Sequence, residues 1–253
     1  MMSKARLRLI RSLEQKKHRD DTGLYVVEGD KAVSDVLASR RAVAIFACRR
    51  WMEQHPECAD GADEVTECSD DELCRASFLR HPQGVIALFR QESAPMSLDD
   101  MHKGLTLALD GVQDPGNVGT IVRIADWFGI EHVLCSRDTA DIYNPKTVQA
   151  TMGSIARVHA VHCDLVATLR SLSPHVAICG MLLDGSDIYA ERLPANAVIV
   201  VGSEGRGLSE HVRGLVARRL RIPSFPRGAS TAESLNAAVA AAIACSEFRR
   251  RIN

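Results

Sequence analysis

In the N-terminal part of the chain the apolar positions change period repeatedly. Leu7, Ile10 and Leu13 recur at helical spacing and predict a helix over 5–15. It runs out in Lys16-Lys17-His18-Arg19, and Asp20-Asp21-Thr22-Gly23 reads as a turn. A strand over 24–29 and a helix over 30–38 follow, then a strand at 42–48 and a helix at 49–54. A strand at 64–68, a helix capped near Ser69 or Asp70, and a strand at 84–90 complete the region. Four strands interleaved with helices predict a small α/β sandwich over residues 1–92.

Residues 91–100 lack periodicity and carry turn formers, which places a linker at 93–104. Beyond it, strands are predicted at 105–110, 132–136, 156–162, 175–183, 197–201 and 220–222. Helices are predicted at 118–128, with Asn117 as cap and Gly129 as stop, and at 146–152 behind Pro145. Further helices follow at 164–172, 210–218 and 234–251. Near-continuous apolar strands alternating with helices predict a mostly parallel sheet, covered on both faces, over 105–253. Ligands on such sheets bind beyond the carboxyl ends of the strands. Here those ends are the loops after 110, 183, 201 and 222.

With 46% apolar and 25% charged residues the composition is that of a soluble globular protein. A formal net charge of −1 gives no global attraction for nucleic acid, so such a contact has to come from a local patch. Lys16, Lys17 and Arg19 form one candidate, and the alternative is a solvated cluster favoured by a helix dipole. None of the eight cysteines forms a Cys-x-x-Cys pair and several lie in apolar runs, so free buried thiols in a reducing cytoplasm are expected. No apolar run reaches the ~18 residues of a membrane span, and the start of the chain lacks an apolar signal core.

The chemistry is concentrated in three loops. Gly202-Ser203-Glu204-Gly205-Arg206-Gly207 follows the most apolar strand, but its glycine order is neither that of a dinucleotide turn nor that of a P-loop. Asp114-Pro115-Gly116-Asn117-Val118-Gly119 with Arg123 precedes it, and Ile222-Pro223 with Ser234-Leu235-Asn236 follows. In this order and approximate spacing the three segments resemble the motifs of the SpoU (TrmH-like) RNA ribose 2′-O-methyltransferases. The likeness covers about residues 105–250 closely. More loosely, Lys17-His18-Arg19 and Val26-Val27-Glu28-Gly29 resemble the RNA-recruiting domain that many members carry.

That resemblance implies a SPOUT fold with a deep trefoil knot in the C-terminal domain, and a homodimer. It implies S-adenosylmethionine held by Met181, Leu182 and Leu183, by Gly202, Ser203 and Gly205, and by Ile222 and Leu235. Catalytic positions would be Arg123, Asn117, Glu204, Ser234 and Asn236, with Arg123 also touching RNA. A sulfonium donor needs no metal; the task is to align a ribose oxygen and manage one proton. Arg123 then acts either on the 2′-hydroxyl proton or as a phosphate clamp. Glu204 pairs with Arg123 or faces the cofactor, and Ser234 and Asn236 act in the site or cap the last helix. The RNA is ribosomal or transfer RNA, with ribosomal favoured. The competing readings are a base-directed SPOUT methyltransferase and a catalytically idle RNA-binding protein of the same fold. One departure from the family pattern is the long stretch 224–233, in which Arg227 either touches RNA or is an ordinary surface arginine.

Overall fold

The computed structural model describes residues 1–92, 99–226 and 232–250; Arg227 and the ends of the expected linker and last helix lie outside them. The chain divides into two compact units. One comprises Met1–Ala94 with Asp141–Ala156, and the other Pro95–Ala140 with Arg157–Asn253. Residues 141–156, expected within the second domain, group with the first unit.

The first unit contains α1 (Lys4–Ser12), α2 (Lys16–Thr22), β1 (Leu24–Glu28), α3 (Asp30–Leu37), β2 (Ala44–Ala47) and α4 (Arg49–Gln54). It continues with β3 (Val65–Glu67), α5 (Asp70–Ala76) and β4 (Val85–Arg90). The strands lie in the order β1-β4-β2-β3, antiparallel except for the parallel β2–β3 pair. Ser69 and Glu72 form a reciprocal capping box at the start of α5, which fixes that helix where the sequence signals it. Ile10, Leu13, Val26, Phe46, Leu73 and Leu88 meet in one buried core.

The sequence reading fails between α1 and α2. Lys16-Lys17-His18-Arg19 does not trail off into a turn but opens a second helix, closed by Gly23 in the left-handed conformation at φ 64°. Arg19 explains the break. Its side chain is 1% exposed, and Nη1 donates to the carbonyls of Leu13 (2.7 Å) and Glu14 (2.8 Å), which the end of α1 leaves unpaired. Nε and Nη2 donate to Oδ2 of Asp141 at 3.1 and 2.5 Å. Asp141 leads into α7 (Pro145–Thr151), which packs on β1. Arg19 is thus a structural arginine and offers nothing to an RNA phosphate. Lys16, paired with Asp20 at 3.3 Å, and Lys17 remain exposed.

In the second unit come β5 (Leu105–Asp110), α6 (Pro115–Trp127), β6 (His132–Cys135), β7 (His159–His162) and α8 (Leu165–Leu172). They are followed by β8 (Ala177–Asp187), β9 (Ala197–Gly202), α9 (Glu210–Arg213), β10 (Arg218–Arg221) and α10 (Ala237–Arg250). All six strands are parallel, in the order β10-β8-β9-β5-β6-β7. Ala108, Leu134, Ile178, Val198 and Val200 share a core with α8 and α9. Alternate residues such as Leu107, Ile199 and Val201 are equally buried and point to the other face, where α6 and α10 pack together. Burial on both faces is why these strands read as unbroken apolar runs; each fully buried Val or Ile is worth ~1.5–3 kcal/mol.

Among the bounds that differ from the sequence reading, three shape the site. Asp114, not Asn117, caps α6; its side chain accepts from the Asn117 amide at 2.7 Å, with Pro115 in the first turn. The expected helix at 210–218 stops at Arg213, because the following residues join β10 beside β8. The strand expected to end at 183 runs on to Asp187 through an irregularity. Arg219 pairs with Gly180 but Leu220 pairs with Ser186, so residues 181–185 are thrown out of the ladder. Gly185 permits this, since a Cβ there would lie 2.6 Å from the Arg219 carbonyl carbon.

The Arg19–Asp141 pair generates a stability prediction. Burial pushes the Asp141 carboxyl up, but hydrogen bonds from Arg19 and the Tyr143 amide, with the charges of Arg19 and Lys16, hold it below its ordinary value. A carboxyl lowered on folding stabilises the protein fully at neutral pH. The contribution begins to fade near the unfolded aspartate value of ~3.9 and is lost as the pH falls through the folded one. Arg19→Met is expected to cost about 3 kcal/mol at neutral pH, because it strands a half-buried carboxylate. Urea unfolding of the two proteins at pH 7 and pH 4 measures this, and a variant within 1 kcal/mol of the parent would contradict it.

Candidate active site

The central strand β9 ends at Gly202 beside Asp110, the last residue of β5. There the chain reverses tightly. The Ser203 amide donates to the carbonyls of Asp110 (3.1 Å) and Gly207 (3.2 Å), and the Gly207 amide donates back to the Ser203 carbonyl at 2.8 Å. A Cβ on Gly202 would lie 2.3 Å from the Gly207 carbonyl carbon, so only glycine admits this closure. Asp110, buried at 6% exposure, completes it by accepting from the Ser209 amide at 2.6 Å. Asp110 was missed in the sequence reading; its signal was a carboxylate ending an otherwise apolar strand just before a glycine.

The loop projects Glu204 toward α6 and α10. Asn117 Nδ2 donates to Glu204 Oε1, and Asn236 Nδ2 donates to Asn117 Oδ1 at 2.9 Å. The Ala237 amide approaches the same Glu204 oxygen at 3.4 Å. Asn236 Oδ1 in turn accepts from the Ala238 amide at 3.0 Å and the Val239 amide at 3.2 Å, capping α10. Three residues up to 119 positions apart thus form one chain of hydrogen bonds. Of the two roles open for Asn236 the structure supplies the cap, and Glu204 makes no bond to Arg123 among the described residues; its exposed carboxylate accepts from Asn117 instead.

Beside this network lies a cavity of about 470 Å³, within the range of small-molecule sites. Its floor is the displaced β8 segment, with Met181, Leu182 and Leu183. The β9 loop contributes Gly202, Ser203, Glu204 and Gly205, and the end of β10 contributes Ile222. Ser234 and Leu235 close it from the third loop. All eight residues expected around a cofactor therefore border one space. Apolar walls and strand-end backbone groups suit an adenine ring, and Gly205 leaves open space where a side chain would stand. Asp184, Arg206, Arg213 and Arg221 also line the cavity and were not expected.

Arg123 stands apart. It is exposed on α6, does not border the cavity and makes no side-chain hydrogen bond or ion pair among the described residues. Four residues on, Trp127 is 84% exposed, and the neighbouring α10 presents Val239 at 47%. On α6 an exposed tryptophan thus stands four residues beyond a guanidinium without a partner among the described residues.

Two family models account for nearly the whole chain. Residues 104–246 match the SpoU rRNA methylase family, and residues 4–87 match an MRM3-like substrate-binding domain. A Bacillus subtilis relative, the 23S rRNA (guanosine(2553)-2′-O)-methyltransferase RlmP, is 28% identical over 92% of this chain and 91% of its own. A TrmH-family structure from Porphyromonas gingivalis is 38% identical with a TM-score of 0.87, covering 99% of both chains. An AdoMet-bound rRNA methyltransferase from Sinorhizobium meliloti is 30% identical with a TM-score of 0.86, covering 100% of this chain and 98% of the other. With the parallel sheet, the three loops and these likenesses together, the chain belongs to the SpoU rRNA methylase family of SPOUT-fold RNA methyltransferases.

Proposed function

We propose that the chain transfers a methyl group from S-adenosylmethionine to a ribose 2′-hydroxyl of ribosomal RNA. The observation that carries this reading is the cavity at the strand carboxyl ends, bordered by the second and third motif loops and adjoining the Glu204–Asn117–Asn236 chain that links all three. When bound there, S-adenosylmethionine supplies an electrophilic methyl group. The protein has to hold the donor, exclude water and orient one hydroxyl. Met181, Leu182, Leu183, Ile222 and Leu235 provide the apolar walls, and the backbone from Gly202 to Gly205 provides close polar approach. Glu204, fixed by Asn117, places a carboxylate at the cavity edge. The cofactor site includes the trefoil knot that the fold family implies.

In this reading Arg123 handles the nucleophile. A guanidinium does not give up its proton near neutral pH, so Arg123 clamps a phosphate beside the target ribose and stabilises the developing alkoxide while the proton leaves to solvent. Arg123 does not border the cavity of its own chain, which fits a homodimer in which it serves the partner's cavity. Trp127, exposed four residues beyond it on α6, is the apolar group such a dimer would bury in an isologous contact. Lys16 and Lys17, without Arg19, remain candidates for RNA recruitment by the first unit. The eight free cysteines suit a reducing cytoplasm, and among the described residues no helix is long and apolar enough to cross a membrane.

Calorimetric titration with S-adenosylmethionine is expected to show one site per chain, and no detectable binding would refute the reading. Gly202→Ala is expected to abolish that binding, because the new methyl group meets backbone atoms that no rotamer change can move; wild-type affinity would show that the closed turn is dispensable. Arg123→Ala should keep cofactor binding and lose at least ~100-fold in turnover on ribosomal RNA. Near-parental turnover would remove Arg123 from the chemistry. Trp127→Glu should convert a dimer into a monomer in light scattering, and a monomeric parent protein would overturn the dimer.

A further inference from the structure

Asp184 lies on the β8 segment pushed out of the sheet, at the rim of the cavity. Nη2 of Arg213 and Nη2 of Arg219 both donate to its Oδ2, each at 2.5 Å. Two guanidiniums therefore share one carboxylate oxygen, with side chains still 43% and 44% exposed. Arg206 and Arg221 line the same cavity, are exposed, and have no ion pair or side-chain hydrogen bond among the described residues. Among the described residues the carboxylates in the lining are Asp184 and Glu204, and Glu204 is turned toward Asn117 and the start of α10. The rim is thus positive in a protein whose net charge is −1.

Blunting an exposed sheet edge explains only part of this. β10 is the outer strand of its sheet, and charges on Arg218, Arg219 and Arg221 would discourage edge pairing. Arg206 and Arg213 belong to the β9 loop and α9, yet they converge on the same mouth. One carboxylate of a small ligand needs a single guanidinium fork. Four guanidiniums spread over a strand, a loop and a helix suit a chain of phosphates instead.

We propose that Arg206, Arg213, Arg219 and Arg221 form a phosphate track that guides the RNA backbone across the mouth of the cavity, with the Asp184 carboxylate offsetting part of the charge of Arg213 and Arg219 until RNA takes its place. The track rests on the RNA-methylating function proposed above, but it is tested without the cofactor. The probe is a fluorescein-labelled single-stranded RNA of mixed sequence, followed by anisotropy over a range of salt concentrations with the full chain. Each phosphate contact on a single strand contributes ~0.7 to the slope of log affinity against log salt. The Arg206→Ala, Arg221→Ala double variant should lower that slope by ~1.4 and weaken binding by ~10-fold at low salt. Asp184→Asn removes the opposing charge and should tighten RNA binding, a gain that misfolding would not produce. Calorimetry with S-adenosylmethionine separates the other anionic source, the cofactor's own carboxylate, and its affinity should stay within ~2-fold in the double variant. An unchanged salt slope overturns the track, whether or not cofactor affinity falls, and so does weaker RNA binding by Asp184→Asn. Failure of the parent protein to bind S-adenosylmethionine would instead count against the methyltransferase reading, leaving the salt slope as a separate result.

Discussion

The close backbone approach between Gly202 and Gly207 is the constraint on which the site depends. A buried strand must end, reverse and deliver a carboxylate to a neighbouring helix within a few residues. The reversal works because there is no Cβ at Gly202 and because Asp110 takes up the Ser209 amide that the turn would otherwise leave unpaired. Once the turn is closed, Glu204 meets Asn117, and Asn117 meets Asn236. Each link uses a group already committed to local structure. Asn117 lies in the first turn of α6 and Asn236 caps α10, so the network is anchored on helix termini rather than on free loops.

A second departure from regular structure makes room for a ligand. The parallel pairing of β8 with β10 skips residues 181–185, and the displaced segment becomes the cavity floor. The same displacement carries Asp184 outward to meet two arginines. The irregularity therefore separates an apolar interior from a charged rim. An apolar space holds the donor and excludes water, while exposed guanidiniums keep their full attraction for a polyanion without the cost of burying charge.

The central strands β5 and β9 were legible because burial on both faces writes them as near-continuous apolar runs, and because glycines and prolines punctuate the connections. A helix cap at Ser69 or Asp70 and the first-turn Pro145 were legible for the same local reason, and the structure chose Ser69. Asp114 was not read as the cap: its Asp-Pro pair carried the signal of a cap followed by a first-turn proline, but the fitness of Asn117 as a cap hid it. Arg19 was not legible at all. In the sequence it belongs to a surface-like basic cluster; in the fold it is buried by a carboxylate 122 positions away and by carbonyls that a break in α1 exposes.

By itself the sequence determined the two α/β domains, the parallel sheet and the three loops that carry the chemistry. These follow from periodicity and backbone preference, which act over a few residues. Only the tertiary structure decided that Arg19 supports the fold, that Asn117, Glu204 and Asn236 form one network, and that Arg123 stands outside the cavity of its own chain. It also decided that arginines of α9 and β10 meet at Asp184, 29 and 35 positions away in the chain. Such assignments depend on which distant groups share a desolvated or crowded space, and no local pattern in the chain encodes that.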